Sequence, residues 1–258
     1  MPFTVSHAAA VLPFRKLNLV WSAFIIGSMA PDFPYIVGNV DYRGVGHHFP
    51  GILLLTVPAA LFGLWLFHNV IKRPIIGMMP VGVQVRLQDQ LRPFSFGGVK
   101  RFLAILASII FGIATHIIWD SLTHSNTWAY NHLSWLRGWV HVPLIGFRPV
   151  AAAMQYGSSV LGLAALAIWV LLWYRNTPEP DRPFQAAPKS RFALAVGMFA
   201  IAGTVALIRA WIVVGVPAFR ANANHFLLVF AVTAIALAFW QLLFYCVLVS
   251  THQVWIIT

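Results

Sequence analysis

The stretch FLAILASIIFGIATHIIW, from Phe102 to Trp119, decides the fold class because its eighteen residues include no charged side chain. A helix of about 20 apolar residues crosses the roughly 30 Å hydrocarbon core of a bilayer with all its backbone groups bonded internally. Four other apolar runs meet or approach this length, the shortest once it is extended back to Val150. They are Gly51–Val70, Val160–Tyr174, Phe192–Val214 and Phe226–Val249. We therefore predict an all-α, polytopic membrane bundle with about five transmembrane helices.

One further apolar segment, Leu17–Ala30, has only 14 residues before Pro31 ends it. This length fits a short re-entrant or interfacial helix better than a full crossing. We predict that residues 1–258 form a single integral membrane domain. Within it, residues 1–165 carry the motifs described below, and residues 166–258 supply further transmembrane helices.

The composition excludes several classes of protein. Hydrophobic residues make up 60% of the chain and charged residues only 9%, whereas a soluble domain has about a quarter of its residues charged. The single cysteine, Cys246, excludes an intrachain disulfide. The net charge of +11 does not predict nucleic-acid binding, because the basic residues punctuate apolar runs instead of lining a groove with aromatic residues. The expected partner is membrane lipid, and the sequence leaves the oligomeric state open.

The basic residues predict the orientation in the membrane. Ten of the 17 lie in or beside the connectors that follow the first and third apolar runs. They are Lys72, Arg73, Arg86, Arg92, Lys100, Arg101, Arg175, Arg182, Lys189 and Arg191. Because Lys and Arg are retained on the cytoplasmic side, we predict that these connectors and the C-terminus are cytoplasmic. The region before the first run and the loop at 120–149 then lie on the other side of a bacterial inner membrane.

Acidic residues are scarce, and two of the six lie at the ends of apolar segments. Asp32 lies in the stretch APDFP, and Asp120 lies in THIIWDSLTH. On a helix, the spacing of four places His116, Asp120 and His124 on one face. Imidazole and carboxylate on adjacent turns can hold a divalent ion. By itself, this spacing fits a structural His–Asp pair at a helix end better than a metal site.

Other donors lie on the same predicted side of the membrane. His47 and His48 precede the first apolar run, and His7 lies near the N-terminus. Titratable groups that converge at membrane depth are costly and normally mark a working site. The alternative is a polar cap with ordinary hydrogen bonds, and it stays open for His48 and His124.

Arg209 interrupts the fourth apolar run near its predicted outer end. A long basic side chain in such a place commonly extends to the polar interface. Alternatively, its planar guanidinium suits an anionic group of a substrate.

Several motifs occur together in the first two thirds of the chain. They are MPFT with His7, GSMAPDF at 27–33, HHFPG at 47–51, the HxxxDxxTH pattern from His116 to His124, and QYGSS at 155–159. In combination they resemble a family of uncharacterised bacterial multi-pass membrane proteins. That family is related to the predicted inner-membrane metal-dependent hydrolases (YdjM-like).

The resemblance implies a ligand set. Its members are His7, Asp32, His47, His116 and Asp120, with His124 close by. His48 stands where the family usually has Ser or Thr, so His47 is the expected ligand. The wider relatives often have His before Arg where this chain has Tyr42, which removes one donor and leaves the number of ions open.

A mixed His/Asp set suits zinc or a similar divalent ion, whose bound water ionises near neutral pH. At a bilayer surface, the predicted activity is hydrolysis of a phosphoester in a lipid or lipid-linked substrate. In this hypothesis Asp32 bridges ions or acts as a base, His124 donates a proton and Arg209 binds the anion.

Two alternatives stay open for the His/Asp residues. One is a non-catalytic membrane protein in which they form a structural polar network. The other is a metal or proton carrier, which requires polar residues along the inner half of the spans, where few are present. Those few are Ser108, Thr204 and Gln241.

Overall fold

The computed structural model describes residues 4–38, 43–143, 146–181, 187–215 and 223–253. Some positions used above lie outside the described residues: the opening MPF of the first motif, Tyr42, Arg182 and the chain end after Gln253.

Five helices in the described part of the chain are long and apolar enough to cross a membrane. They are span 1 (Ile52–Met78), span 2 (Val99–His132), span 3 (Val150–Asn176), span 4 (Lys189–Val214) and span 5 (His225–Val249). Span 2 consists of a continuous α-helix, Val99–Thr123, and a short one, Trp128–His132. The predicted all-α membrane bundle is confirmed, and span 3 begins at Val150 as predicted.

Span 1 is longer than its apolar run and is not uniform. It alternates π-helical and α-helical segments: Ile52–Thr56 (π), Val57–Leu66 (α), Phe67–Ile71 (π) and Lys72–Met78 (α). Lys72 and Arg73 therefore lie within the helix, whereas the sequence placed them in the connector. The helix tolerates a buried Lys72 because its ammonium donates a hydrogen bond to the Arg92 carbonyl oxygen at 2.9 Å.

The N-terminal residues form an antiparallel pair of short helices, here called the N-terminal hairpin (residues 4–32). Its first arm is a 3-10 helix, Thr4–Phe14, and its second arm is helix α1, Trp21–Met29, followed by a 3-10 turn, Ala30–Asp32. The Thr4 hydroxyl donates to Asp32 Oδ2 at 2.9 Å, which joins the two ends of the hairpin. The predicted Leu17–Ala30 helix corresponds to α1, whereas the Thr4–Phe14 helix was not predicted.

Helix α1 packs along span 2, and the two helices run parallel to each other. The backbone N–H of Val20 donates to Ser108 Oγ at 2.9 Å, and eight residues later Ser28 lies beside His116. This close approach requires glycine on both helices, because a Cβ at Gly27 or Gly112 would collide with backbone atoms of the other helix. An apolar core joins α1 with spans 1 and 2, and it includes Ala23, Leu64 and Ile109.

The remaining elements are short. They are the helices α2 (Phe33–Ile36), Arg43–Gly46, Val81–Arg86, Gln88–Leu91 and Ser134–Arg137, and the strands Trp139–Val142 and Gly146–Pro149. The two strands pair in an antiparallel hairpin between spans 2 and 3. This pair of strands lies at the same end of the bundle as Asp120, because it follows the end of span 2.

Candidate metal centre

Three separate segments of the chain supply the polar side chains of this site. Asp32 ends the 3-10 turn that follows α1, and its side chain is fully buried. His116 and Asp120 lie four residues apart on span 2, and both are buried. They share one face of the helix because it continues to Thr123. His47 follows the short helix Arg43–Gly46, whose last carbonyl oxygen accepts a hydrogen bond from the Thr56 hydroxyl at 3.0 Å. The start of span 1 therefore holds His47 in position.

Four side chains converge on one small volume: Asp32, His47, His116 and Asp120, all with a ligand atom within 4.8 Å of the others. The Nε2 atoms of His47 and His116 lie 3.2 Å apart, and each lies 3.5 Å from Asp120 Oδ2. Asp32 Oδ1 lies 3.7 Å from His47 Nε2 and 3.8 Å from His116 Nε2. Ligand atoms about 2.0–2.1 Å from one tetrahedral ion would be separated by about 3.3 Å. This buried group could therefore hold a metal ion.

Neighbouring groups orient two of these four side chains. His116 Nδ1 lies 2.8 Å from the Ser28 carbonyl oxygen. Because a carbonyl oxygen only accepts, Nδ1 carries the hydrogen, and the lone pair of Nε2 faces the other ligands. Asp32 Oδ2 accepts from Thr4, which leaves Oδ1 directed at the histidines. Both arrangements are those that a metal site needs around its ligands.

Two carboxylate oxygens of the site are buried without a hydrogen bond from any described residue: Asp32 Oδ1 and Asp120 Oδ1. A buried polar atom left in this way costs about 1–3 kcal/mol, so such atoms in a native structure call for an explanation. Asp32 Oδ1 faces two histidine nitrogens, and a cation bound among these atoms would satisfy it.

His7 approaches Asp120 from the other side. Its ring is fully buried, stacks on His116 at a centroid distance of 4.0 Å, and places Nε2 3.5 Å from Asp120 Oδ1. Loss of hydration on burial, together with nearby His116, lowers the pKa of His7 to about 4, although Asp120 and Asp32 oppose this shift. His7 is therefore neutral at neutral pH, which is the form that binds a metal. It lies next to the four-residue group and shares Asp120 with it.

His124 is the first residue after the long helix of span 2. Its backbone N–H donates to the Asp120 carbonyl oxygen at 3.0 Å, and its Nδ1 lies 3.5 Å from Asp120 Oδ1. Asp120 thus presents Oδ2 to His47 and His116, and Oδ1 to His7 and His124. His48, by contrast, is exposed and is not one of the four converging residues.

Arg209 belongs to a different part of the bundle. It lies on span 4 with an exposed side chain, and its Nη1 donates to Thr233 Oγ1 of span 5 at 2.6 Å. Its hydrogen bond thus goes to a residue outside the His/Asp group.

Sequence reasoning missed two groups that position the site, Thr4 and the Ser28 carbonyl. A backbone carbonyl has no residue-type signature, so nothing in the sequence marks Ser28. Thr4 belongs to the quoted N-terminal motif, but its contact with Asp32 spans 28 positions and depends on the hairpin.

The family model for a domain of unknown function (DUF4184) matches residues 1–247. The chain belongs to this family. The match covers the last two spans as well as the motif-bearing residues, so the family is defined over nearly the whole bundle. No curated protein and no solved structure matches the chain.

Proposed function

We propose that this protein is a membrane-embedded, metal-dependent hydrolase that cleaves a phosphoester of a lipid or lipid-linked substrate. The observation that carries the proposal is the convergence of two imidazoles and two carboxylates, from three separate segments of the chain, on one buried point. The motif resemblance to predicted metal-dependent hydrolases supports the same reaction class.

The donor set fits a divalent ion, with zinc as the proposed metal. When bound, such an ion supplies an activated water and charge stabilisation for a phosphoester. Asp32 serves better as a ligand than as a base, because Thr4 occupies Oδ2 and only Oδ1 faces the site. His124 keeps its proposed role as proton donor, since its ring lies beside Asp120 at the edge of the site and is 13% exposed.

The exposure of the ligands indicates where a substrate enters. Asp32 and His116 are fully buried, whereas the His47 side chain is 15% exposed and is the most open of the four. A phosphate group would therefore approach past His47. Because His47 lies just before span 1, this entry is at the end of the bundle rather than in its middle.

A lipid substrate is favoured by the surroundings of this entry. Exposed aromatic side chains lie at the same end, including Phe49, Trp128, Trp139 and Phe147. Aromatic residues are enriched where membrane proteins cross the lipid–water interface. The basic connectors lie at the opposite end, which supports a site on the non-cytoplasmic side of a bacterial inner membrane and a cytoplasmic C-terminus. Arg209 is the proposed contact for the anionic group.

Metal analysis of the purified protein tests this proposal. We expect stoichiometric divalent metal in the wild type, and its loss in Asp120→Asn and His116→Ala, because each variant removes one ligand. His132→Ala is the matched control, since His132 is an exposed histidine whose Nδ1 lies 2.8 Å from the Trp128 carbonyl oxygen. The same proteins are assayed for phosphate release from lipid phosphates.

The competing interpretation is a structural polar network without metal. It predicts the same trace metal in all four proteins and lower thermal stability in the two ligand variants. That outcome would contradict the hydrolase proposal.

A further inference from the structure

An apolar cavity of about 790 Å³ lies between the N-terminal hairpin, span 1 and span 5. This volume is within the range of ligand pockets, about 300–1,000 Å³. Its walls include Ile25 and Met29 of α1, Phe33 of α2, Ala59 and Gly63 of span 1, and Phe239 of span 5. The cavity is therefore separate from the His/Asp group, which lies where α1 faces span 2.

The cavity is long. On span 1 alone, its lining residues extend from Leu55 to Ile75, twenty positions apart. At 1.5 Å per residue for an α-helix, and less in the two π-helical segments, this is at most about 30 Å, close to the thickness of the whole hydrocarbon core. A chain confined to one leaflet would reach about half of that distance.

The cavity is also apolar and open at its side. Ser22 is the one hydroxyl-bearing residue among the described residues that line it, and Ser22 Oγ lies 2.9 Å from His68 Nε2. The side chains of Phe62, Leu55 and Val37 are 60%, 51% and 47% exposed. A hydrocarbon chain could therefore enter from the bilayer without passing through water.

Small residues on span 1 shape the floor of the cavity. Ala59 and Gly63 lie four positions apart on one helix face, and a Cβ at Gly63 would lie 2.9 Å from the Phe33 ring. Leu55 and Ile71 lie in the two π-helical segments of the span, and such segments occur frequently at functional sites. The absence of a side chain at Gly63 thus lets the Phe33 ring pack closely against the floor of the cavity, here called the groove.

One end of the groove adjoins the candidate metal centre. Met29 and Phe33 line it, and they directly flank the Ala30–Asp32 turn that presents Asp32 to the histidines. The head group of a chain lying in the groove would be within one short turn of the site.

We infer that this groove holds a single hydrocarbon chain of the substrate and that this chain is longer than one leaflet, as in a polyprenyl-type lipid phosphate. The inference rests on the proposed function for the identity of the head group. The length of the groove favours such a chain over the acyl chains of an ordinary phospholipid, which would leave its deeper half unfilled.

Photocrosslinking tests the inference without requiring hydrolysis. The protein carrying Asp120→Asn is placed in nanodiscs with either a photoactivatable polyprenyl phosphate or a photoactivatable phosphatidic acid at equal concentration. We expect the polyprenyl phosphate to label residues of the groove at least threefold more strongly.

Ala59→Trp in the same background fills the floor of the groove and should reduce that labelling about tenfold. Ala164→Trp is the matched control, because Ala164 is an exposed alanine on span 3 that does not line the cavity, and it should leave labelling unchanged. If Ala59→Trp lowers the melting temperature, the smaller Ala59→Met replaces it.

The inference is overturned if the two lipids label the groove equally. It is also overturned if the substitution of Ala59 leaves labelling by the polyprenyl phosphate unchanged. If the wild type holds metal while the groove shows no preference, only the groove assignment fails. If groove labelling is as expected but the wild type holds no metal, the long-chain lipid site stands and the hydrolase proposal fails.

Discussion

Spans 1 and 2 differ from spans 4 and 5 in how many of their residues are buried. In the most apolar window of each span, 28% and 33% of residues are buried in spans 1 and 2, against 11% and 17% in spans 4 and 5. The first pair encloses the N-terminal hairpin and the buried His/Asp group. The second pair packs chiefly against itself through small residues such as Ala202, Ala206 and Ala210 on span 4. The comparison indicates that the first region is built around a polar site and the second is mostly exposed to lipid.

Glycines in the two regions should respond in opposite ways to the same substitution, and this is the largest effect we expect. A Cβ at Gly112 would collide with backbone atoms of Phe24, Gly27 and Ser28, which cannot move aside as a flexible side chain could. Gly112→Ala should therefore destabilise the protein by about 3 kcal/mol or more. Gly203 of span 4 has open space around it, and Gly203→Ala should be neutral or stabilising by up to about 1 kcal/mol.

Thermal unfolding of both glycine variants in the same detergent measures this difference. A similar loss of stability in the two variants would contradict the contrast between the regions.

His7 should make the stability of the metal-free protein depend on pH. Its pKa is lowered from 6.5 to about 4, so the unfolded chain binds this proton more readily than the folded one. Above pH 6.5 His7 therefore does not lower the free energy of unfolding. As the pH decreases from 6.5 to 4, that free energy falls by up to about 3 kcal/mol.

The measurement compares unfolding of wild type and His7→Gln between pH 4 and pH 7. The wild type should lose more stability on acidification than the variant, because glutamine does not titrate. Parallel curves for the two proteins would show that His7 is not the group responsible.

Thr4→Val should weaken metal binding without removing a ligand. The variant keeps the shape of the side chain but loses the hydrogen bond that directs Asp32 Oδ1 at the histidines. Loss of such a supporting contact lowers metal affinity by about 10-fold to 100-fold. The control is Thr204→Val, an exposed threonine on span 4.

Competition with a fluorescent chelator gives the two dissociation constants for these threonine variants. Equal metal affinities in Thr4→Val and Thr204→Val would show that Thr4 does not support the metal centre.

The sequence predicts the spans well because each is set by local composition. Eighteen uncharged residues from Phe102 to Trp119 require a helix in lipid whatever surrounds them. The spacing of His116 and Asp120 likewise fixes their shared face once that helix continues to Thr123. Both predictions need only the period of one helix.

Tertiary contacts decide what the sequence left open. The Thr4–Phe14 helix depends on packing against α1 and span 3, and its apolar residues show no strong periodicity. His7 and Asp120 are 113 positions apart, and they meet only because the N-terminal hairpin packs against span 2. Span 1 continues past Lys72 to Met78, and the Lys72 ammonium bonds to the Arg92 carbonyl oxygen in the next connector. None of these is encoded by residues close together in the chain.

Arg209 gives the smallest expected effect and tests whether spans 4 and 5 contribute to the site at all. Under the proposed function, Arg209→Ala should raise KM for a lipid phosphate by up to about fivefold with kcat unchanged, because exposed charge contacts contribute about 0.2–1 kcal/mol. Thr233→Val removes the hydrogen-bond partner and keeps the charge, so its KM should stay near the wild-type value. If both variants behave as wild type, Arg209 serves only to place a basic group at the interface. The chemistry would then belong entirely to the N-terminal hairpin, the His47 segment and the first two spans.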